Sequence, residues 1–239
     1  MKKIVDNYNL LGGHKEFPGI PLGDSASPKN LIFHIFDDNS RDVKILDIGF
    51  GSGNLGKLIK TNPASAHWEV DGIDGWEPNC FNQDLINSKT YRNIWHGFAQ
   101  ELSASQISTY QIICLLDVIE HLESNTAVWF LRTLLTFMSD DAYLFISTPL
   151  WFYPQDNNQS GDLEEHLIGV PITSMLALMP LKYAFSDPLI GGFILGKRSL
   201  QFVNFFMPTV DKSFNYLKGL ELLRAVNLPY STNVIFNVS

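Results

Sequence analysis

Between residues 43 and 147, short apolar runs alternate with stretches whose apolar residues recur at helical spacing. Val43-Lys44-Ile45-Leu46-Asp47-Ile48 reads as a strand running into glycine. Residues 54–60 follow, with Leu55, Leu58 and Ile59 on one helical face. The same reading gives a strand over 67–73, a helix over 79–87 and strands over 92–96 and 110–116. It then gives a helix over 126–138 and a strand over 142–147. This order predicts an α/β fold, a parallel sheet with helices on both faces. Beyond Pro149 the pattern changes. A polar loop at 155–161 leads to a helix over 172–179, then to strands over 182–185 and 192–195, close enough to pair antiparallel. A helix is expected over 213–226 between apolar segments. Before residue 43, glycines and prolines from Gly12 to Pro28 mark a loop, and Asn30–Phe36 suits a short helix.

Composition narrows the class. The 239 residues are 45% hydrophobic and only 18% charged, which excludes a disordered chain. No run of about 18 apolar residues is present, so no membrane association is expected. No apolar stretch follows Lys2-Lys3, so no leader is expected. Two cysteines, Cys80 and Cys114, are too few for a disulfide framework and suit a reducing, cytoplasmic setting. No Cys/His spacing reads as a metal site. With 17 Lys and Arg against 25 Asp and Glu the net charge is −8, which speaks against nucleic acid as a partner.

The chemistry is concentrated in Ile45-Leu46-Asp47-Ile48-Gly49-Phe50-Gly51-Ser52-Gly53-Asn54. A strand ends beside an acid, three glycines alternate, and a helix begins. Glycine lets a ligand approach the main chain, and in open parallel sheets ligands bind outside the carboxyl ends of the strands. Two nucleotide readings compete. From Gly51, Gly51-Ser52-Gly53-Asn54-Leu55-Gly56 matches the dinucleotide pattern G-x-G-x-x-G. That reading leaves Asp47 inside a buried strand, where an unpaired carboxylate costs several kcal/mol. From Gly49, Asp47 sits at the strand end beside the cradle. Asp74, at the end of the next strand, can accept two ribose hydroxyls in either case, and Trp76 offers a face for a purine.

These residues, with Leu115-Leu116-Asp117-Val118-Ile119-Glu120-His121-Leu122 after the fourth strand, resemble class I S-adenosylmethionine-dependent methyltransferases. The resemblance spans residues 43–197. It implies a Rossmann-like, doubly wound, mostly parallel seven-stranded sheet with an antiparallel edge strand. It also implies S-adenosylmethionine as cofactor. Asp47, Gly49, Phe50, Gly51, Gly53 and Asn54 would cradle the methionine part, Asp74 the ribose, and Gly75 and Trp76 the adenine. Phe98 stands where the family often has an acid meeting the adenine amine, so Phe98, Ala99 and Gln100 would border the base differently. Asp117 and Val118 would border the amino end and the transferred methyl.

Methyl transfer needs an aligned nucleophile, and a base only where that nucleophile carries a proton. His121, beyond the fourth strand, and the Glu164-Glu165-His166 segment after the polar loop supply candidates; His121, Glu165 and His166 are taken as catalytic. The segment Ser147-Thr148-Pro149-Leu150-Trp151-Phe152-Tyr153 resembles a loop of methyltransferases that act on small metabolites or saccharides. The expected function is methyl transfer to a small-molecule or saccharide-like acceptor, at oxygen. An NAD(P)-dependent oxidoreductase and a non-catalytic binding module are the competing readings. The aromatic run 151–153 is either pocket wall or core. The expected organisation is an extension over 1–42, the methyltransferase domain over 43–197, and an appendage over 198–239 that acts as lid, core completion or homodimer contact.

Overall fold

The computed structural model describes residues 2–5, 28–186, 189–228 and 235–237. The loop read from Gly12 therefore lies, up to residue 27, outside the described residues. In chain order the strands are β1 (Lys2–Val5), β2 (Lys44–Ile48), β3 (Glu69–Asp74), β4 (Asn93–His96), β5 (Ile112–Leu116), β6 (Tyr143–Pro149), β7 (Lys182–Ser186), β8 (Ile190–Gly196) and β9 (Ile235–Asn237). The helices are α1 (Asn54–Thr61), α2 (Glu77–Cys80), α3 (Gln83–Asn87), α4 (Ala104–Ile107), α5 (Ser124–Phe137), α6 (Ile172–Ala177) and α7 (Tyr216–Ala225).

The strands form one sheet in the order β1-β9-β7-β8-β6-β5-β2-β3-β4. From β4 to β6 all pairings are parallel, and β8 runs antiparallel between β6 and β7. These seven strands form the Rossmann-like, doubly wound sheet; β1 and β9 lengthen it at the β7 edge. Those two pieces have four and three residues, too short for a periodicity signal.

Strand β5 shows why the sheet is buried on both faces. All five of its residues are buried. Ile113 and Leu115 join one core cluster, while Ile112, Cys114 and Leu116 join the other. This is the two-residue alternation of an extended chain. Helix α5 covers the first face with Ala127, Phe130, Leu131, Leu134 and Leu135, a stripe at i, i+3, i+4, i+7 and i+8. Leu55 and Ile59 of α1, with Leu31 and Ile32, cover the second.

Three expectations change in detail. The helix expected over 79–87 is two pieces, because the Asn82 side chain accepts from the amides of Asp84 and Leu85 and starts a new helix. The helix expected at Asn30–Phe36 is a 3-10 turn over Lys29–His34. A longer 3-10 segment, Lys197–Phe205, packs on α5, and Arg132 donates to Asn204 Oδ1 at 2.6 Å. Val203, Phe206 and Leu223 are buried in the first core cluster, so described parts of 198–239 pack into the core.

Candidate active site

The glycine turn begins where β2 ends, at Ile48. Gly49, Gly51 and Gly53 have φ of +67°, +53° and +77°, the left-handed region that costs other residues about 1–2 kcal/mol. The Gly49 amide donates to the Ile73 carbonyl at 2.8 Å and ties the turn to β3. A Cβ on Gly49 would stand 2.6 Å from Val118 Cγ2. Gly49→Ala is therefore expected to lose about 2 kcal/mol, read as a lower urea midpoint with unchanged slope. Gly53 does not line the cavity: it precedes α1, and a Cβ there would strike Leu85. Gly56 lies inside α1 against Thr90 and Tyr91, also away from the cavity. The strand end thus favours the turn counted from Gly49.

The two strand-end acids have different surroundings. Asp47 is 2% exposed and accepts from the Tyr91 hydroxyl at 2.7 Å. Burial raises its pKa to about 7; the Tyr91 hydrogen bond and the Lys29 charge oppose the rise, and Asp74 adds to it. The folded protein thus holds this proton where the unfolded chain releases it. The stability contributed by the proton is complete below about pH 4 and lost as pH rises through about 7. The expected result is a melting temperature that falls across that window and a shallower fall in Asp47→Asn, measured by thermal scans at stepped pH. Asp74 accepts from the amides of Gly51 (2.9 Å) and Trp76 (2.8 Å) and from Asn79 Nδ2 (3.1 Å). Three donors fix the carboxylate, and a carboxylate has about four acceptor positions, so Oδ1 can take a ligand hydroxyl.

Both acids line a cavity of about 770 Å³ at the carboxyl ends of β2 to β6. Phe50, Gly51 and Asn54 line it beside the turn, and Phe50 packs on Tyr91 with ring centroids 5.0 Å apart. Gly75, Trp76, Phe98, Ala99 and Gln100 form one end. Phe98 is half exposed, and a Cβ on Gly75 would meet both Phe98 and Leu163. Phe98 and Leu163 thus pack close against the Gly75 backbone and give this end an apolar lining. Leu163 belongs to the polar loop after β6, which folds over the cavity with Gln155, Asn158 and Glu164. Asp162 anchors that loop by accepting from the amides of Asn158 and Gln159.

Asp117 and Val118 line the opposite end, after β5. Asp117 has φ of +57°, a strained conformation of the kind found at functional sites. It accepts from Ser147 Oγ at 3.1 Å and Lys29 Nζ at 3.2 Å. Burial raises its pKa, against the neighbouring Lys29. Lys29 is 7% exposed and reaches the cavity from the first 3-10 turn, a residue that sequence reasoning missed.

His121 and His166 meet here, their rings 4.6 Å apart at 74°. His121 Nδ1 lies 3.0 Å from the Glu165 carbonyl, and His166 Nδ1 lies 2.9 Å from the Tyr153 carbonyl. Burial, then the charge of His121, lowers the His166 pKa to about 4, so its ring is neutral at neutral pH. Glu165 reaches His121 through its carbonyl and does not line the cavity, whereas its neighbour Glu164 does. Glu120, passed over as a site residue, is 1% exposed and lines the same corner. Its carbonyl accepts from the amides of Leu167 and Ile168, which fastens the lid loop to the turn after β5. Trp151 and Phe152 are buried in the core, while Tyr153 lines the cavity.

A family model described as a methyltransferase domain matches residues 24–175. No curated protein sequence matches the chain. Among solved structures, the YcgJ protein from Bacillus subtilis is 16% identical with a TM-score of 0.40, over 51% of this chain and 50% of that one. A TehB-like SAM-dependent methyltransferase from Corynebacterium glutamicum is 20% identical with a TM-score of 0.41, over 51% of this chain and 61% of that one. The chain therefore spans between half and two thirds of these two proteins. The PH0226 protein from Pyrococcus horikoshii is 15% identical with a TM-score of 0.50, over 70% of this chain and 87% of that one, a likeness of fold. The matched segment is well over half of the 239 residues and carries the glycine turn, Asp74 and the segment after β5, so the chain belongs to the methyltransferase-domain family.

Proposed function

We propose that the chain transfers a methyl group from S-adenosylmethionine to a hydroxyl oxygen of a small-molecule or saccharide-like acceptor. The observation that carries this reading is one continuous cavity lined by the glycine turn, Asp74 and the two histidines. Its volume of about 770 Å³ lies in the range of small-molecule sites, roughly 300–1,000 Å³. The residues fit the cofactor. A Cβ at Gly49 would close the cradle onto Val118, Asp74 is oriented by three donors, and Phe98 and Leu163 give apolar surface beside Gly75. When bound, S-adenosylmethionine supplies a methyl carbon made electrophilic by its sulfonium.

The chain's own residues do the rest. Asp47, Asp74 and Asp117 place carboxylates along the cavity, which suits a ligand carrying positive charge. Lys29 neutralises part of that charge and holds Asp117 in place. The lid loop excludes water, and His121 and His166 face the acceptor hydroxyl, whose proton must leave as the bond to carbon forms. Residues 1–42 contribute Lys29 to the cavity, and in this reading they share acceptor selection with 198–239. Buried, free Cys80 and Cys114 suit a reducing cytoplasm. The test is incubation with methyl-labelled S-adenosylmethionine and a panel of phenols, sugars and hydroxy acids, with amines alongside. A labelled ether or ester supports oxygen transfer; label on amines alone contradicts it.

A further inference from the structure

We infer that Glu120, His121 and His166 form a binding site for a divalent transition-metal cation that takes the acceptor's hydroxyl oxygen into its open coordination positions. Each of the three residues offers a ligand atom, and these atoms all lie within 4.8 Å of one another. Three such atoms sit at most about 2.8 Å from a common centre. Metal–ligand bonds of roughly 2.0–2.2 Å therefore need an inward shift of no more than about 0.7 Å each.

Both Glu120 oxygens are buried, and neither accepts a hydrogen bond among the described residues. The neighbouring Thr148 hydroxyl is directed at the Pro149 carbonyl, at 3.5 Å. A carbonyl can only accept, so each imidazole carries its proton on Nδ1, toward Glu165 or Tyr153, and keeps a lone pair on Nε2. Two Glu120 oxygens buried without a hydrogen bond, beside two imidazole lone pairs, are orphaned groups of the kind that calls for an ion; burial raises the Glu120 pKa, and the charge of Lys29 offsets only part of that rise. Hydrogen bonding of the far ring nitrogen to a carbonyl is the usual support for a metal-bound histidine. Two nitrogens and one carboxylate suit zinc, cobalt, manganese or iron(II) better than calcium or magnesium, and they leave positions open. Because His121 lies in the turn after β5 and His166 in the lid, the cation would also fasten the lid.

The acceptor role rests on the proposed function; the cation site does not. The test is titration of chelator-treated full-length protein with Co²⁺, followed by visible absorption. S-adenosylhomocysteine binding is measured on the same sample by calorimetry. The expected result is one saturable site in the wild type, weakened at least about tenfold in Glu120→Gln, His166→Ala and the half-buried His121→Gln. Equal Co²⁺ binding in wild type and variants overturns the inference, as does no Co²⁺ binding by a protein that binds S-adenosylhomocysteine. Co²⁺ binding lost in the variants, in a protein that ignores S-adenosylhomocysteine, supports the site and counts against the proposed cofactor.

Discussion

Asp74→Ala is expected to weaken S-adenosylhomocysteine binding by about a hundredfold, or about 2.8 kcal/mol, measured by calorimetry. Two effects combine. The ribose loses a charged acceptor, and hydrogen bonds to charged groups contribute about 1.5–3 kcal/mol each. The amides of Gly51 and Trp76 and the Asn79 side chain also lose the carboxylate that orients them. Asp74→Asn keeps the shape and one acceptor oxygen, so its loss should fall between wild type and Asp74→Ala. Unaltered affinity in Asp74→Ala would remove the ribose role.

Lys29→Met is expected to destabilise the fold by about 3 kcal/mol at pH 8, since removing one partner of a buried pair strands the other charge. The stranded group is Asp117, whose side chain is 18% exposed, with buried Asp47 feeling the same loss. The cost should shrink toward pH 5. Burial already raises the Asp117 pKa, and a protonated carboxyl does not need the ammonium. Urea unfolding at both pH values measures this. Adding Asp117→Asn to Lys29→Met should recover part of the loss; a loss below about 0.5 kcal/mol at pH 8 would mean that the pair is solvent-screened and of little consequence.

These two residues mark how far the sequence reads. Asp74 is legible because its position is local: it closes an apolar strand one unit after a glycine turn, and the sheet aligns consecutive strand ends. The strands from β2 to β8 and helices α1 and α5 are legible for a similar reason, since burial on two faces or one stripe leaves a periodic trace. Lys29 leaves no such trace. It lies 88 residues before Asp117 and reaches it only because the first 3-10 turn packs against the sheet. Leu163 and Tyr153 enter the cavity through the path of one loop, which polar composition does not specify. Glu120 and Glu165 show the same limit at close range. The acids near the two histidines are visible in the sequence, but which of them turns inward depends on backbone direction in irregular turns. The Asn82 cap leaves little trace because Asn79, Asn82 and Asn87 are alike in type, and only the fold shows which of them starts a helix.

Cofactor use is tested most directly by titrating the full-length protein with S-adenosylhomocysteine in a calorimeter, with NADH as a parallel ligand. One site with micromolar affinity, weakened about a hundredfold in Asp74→Ala, and no heat from NADH is the expected result. No heat from S-adenosylhomocysteine at millimolar concentration, with folded protein binding NADH, would contradict methyl transfer by this cavity.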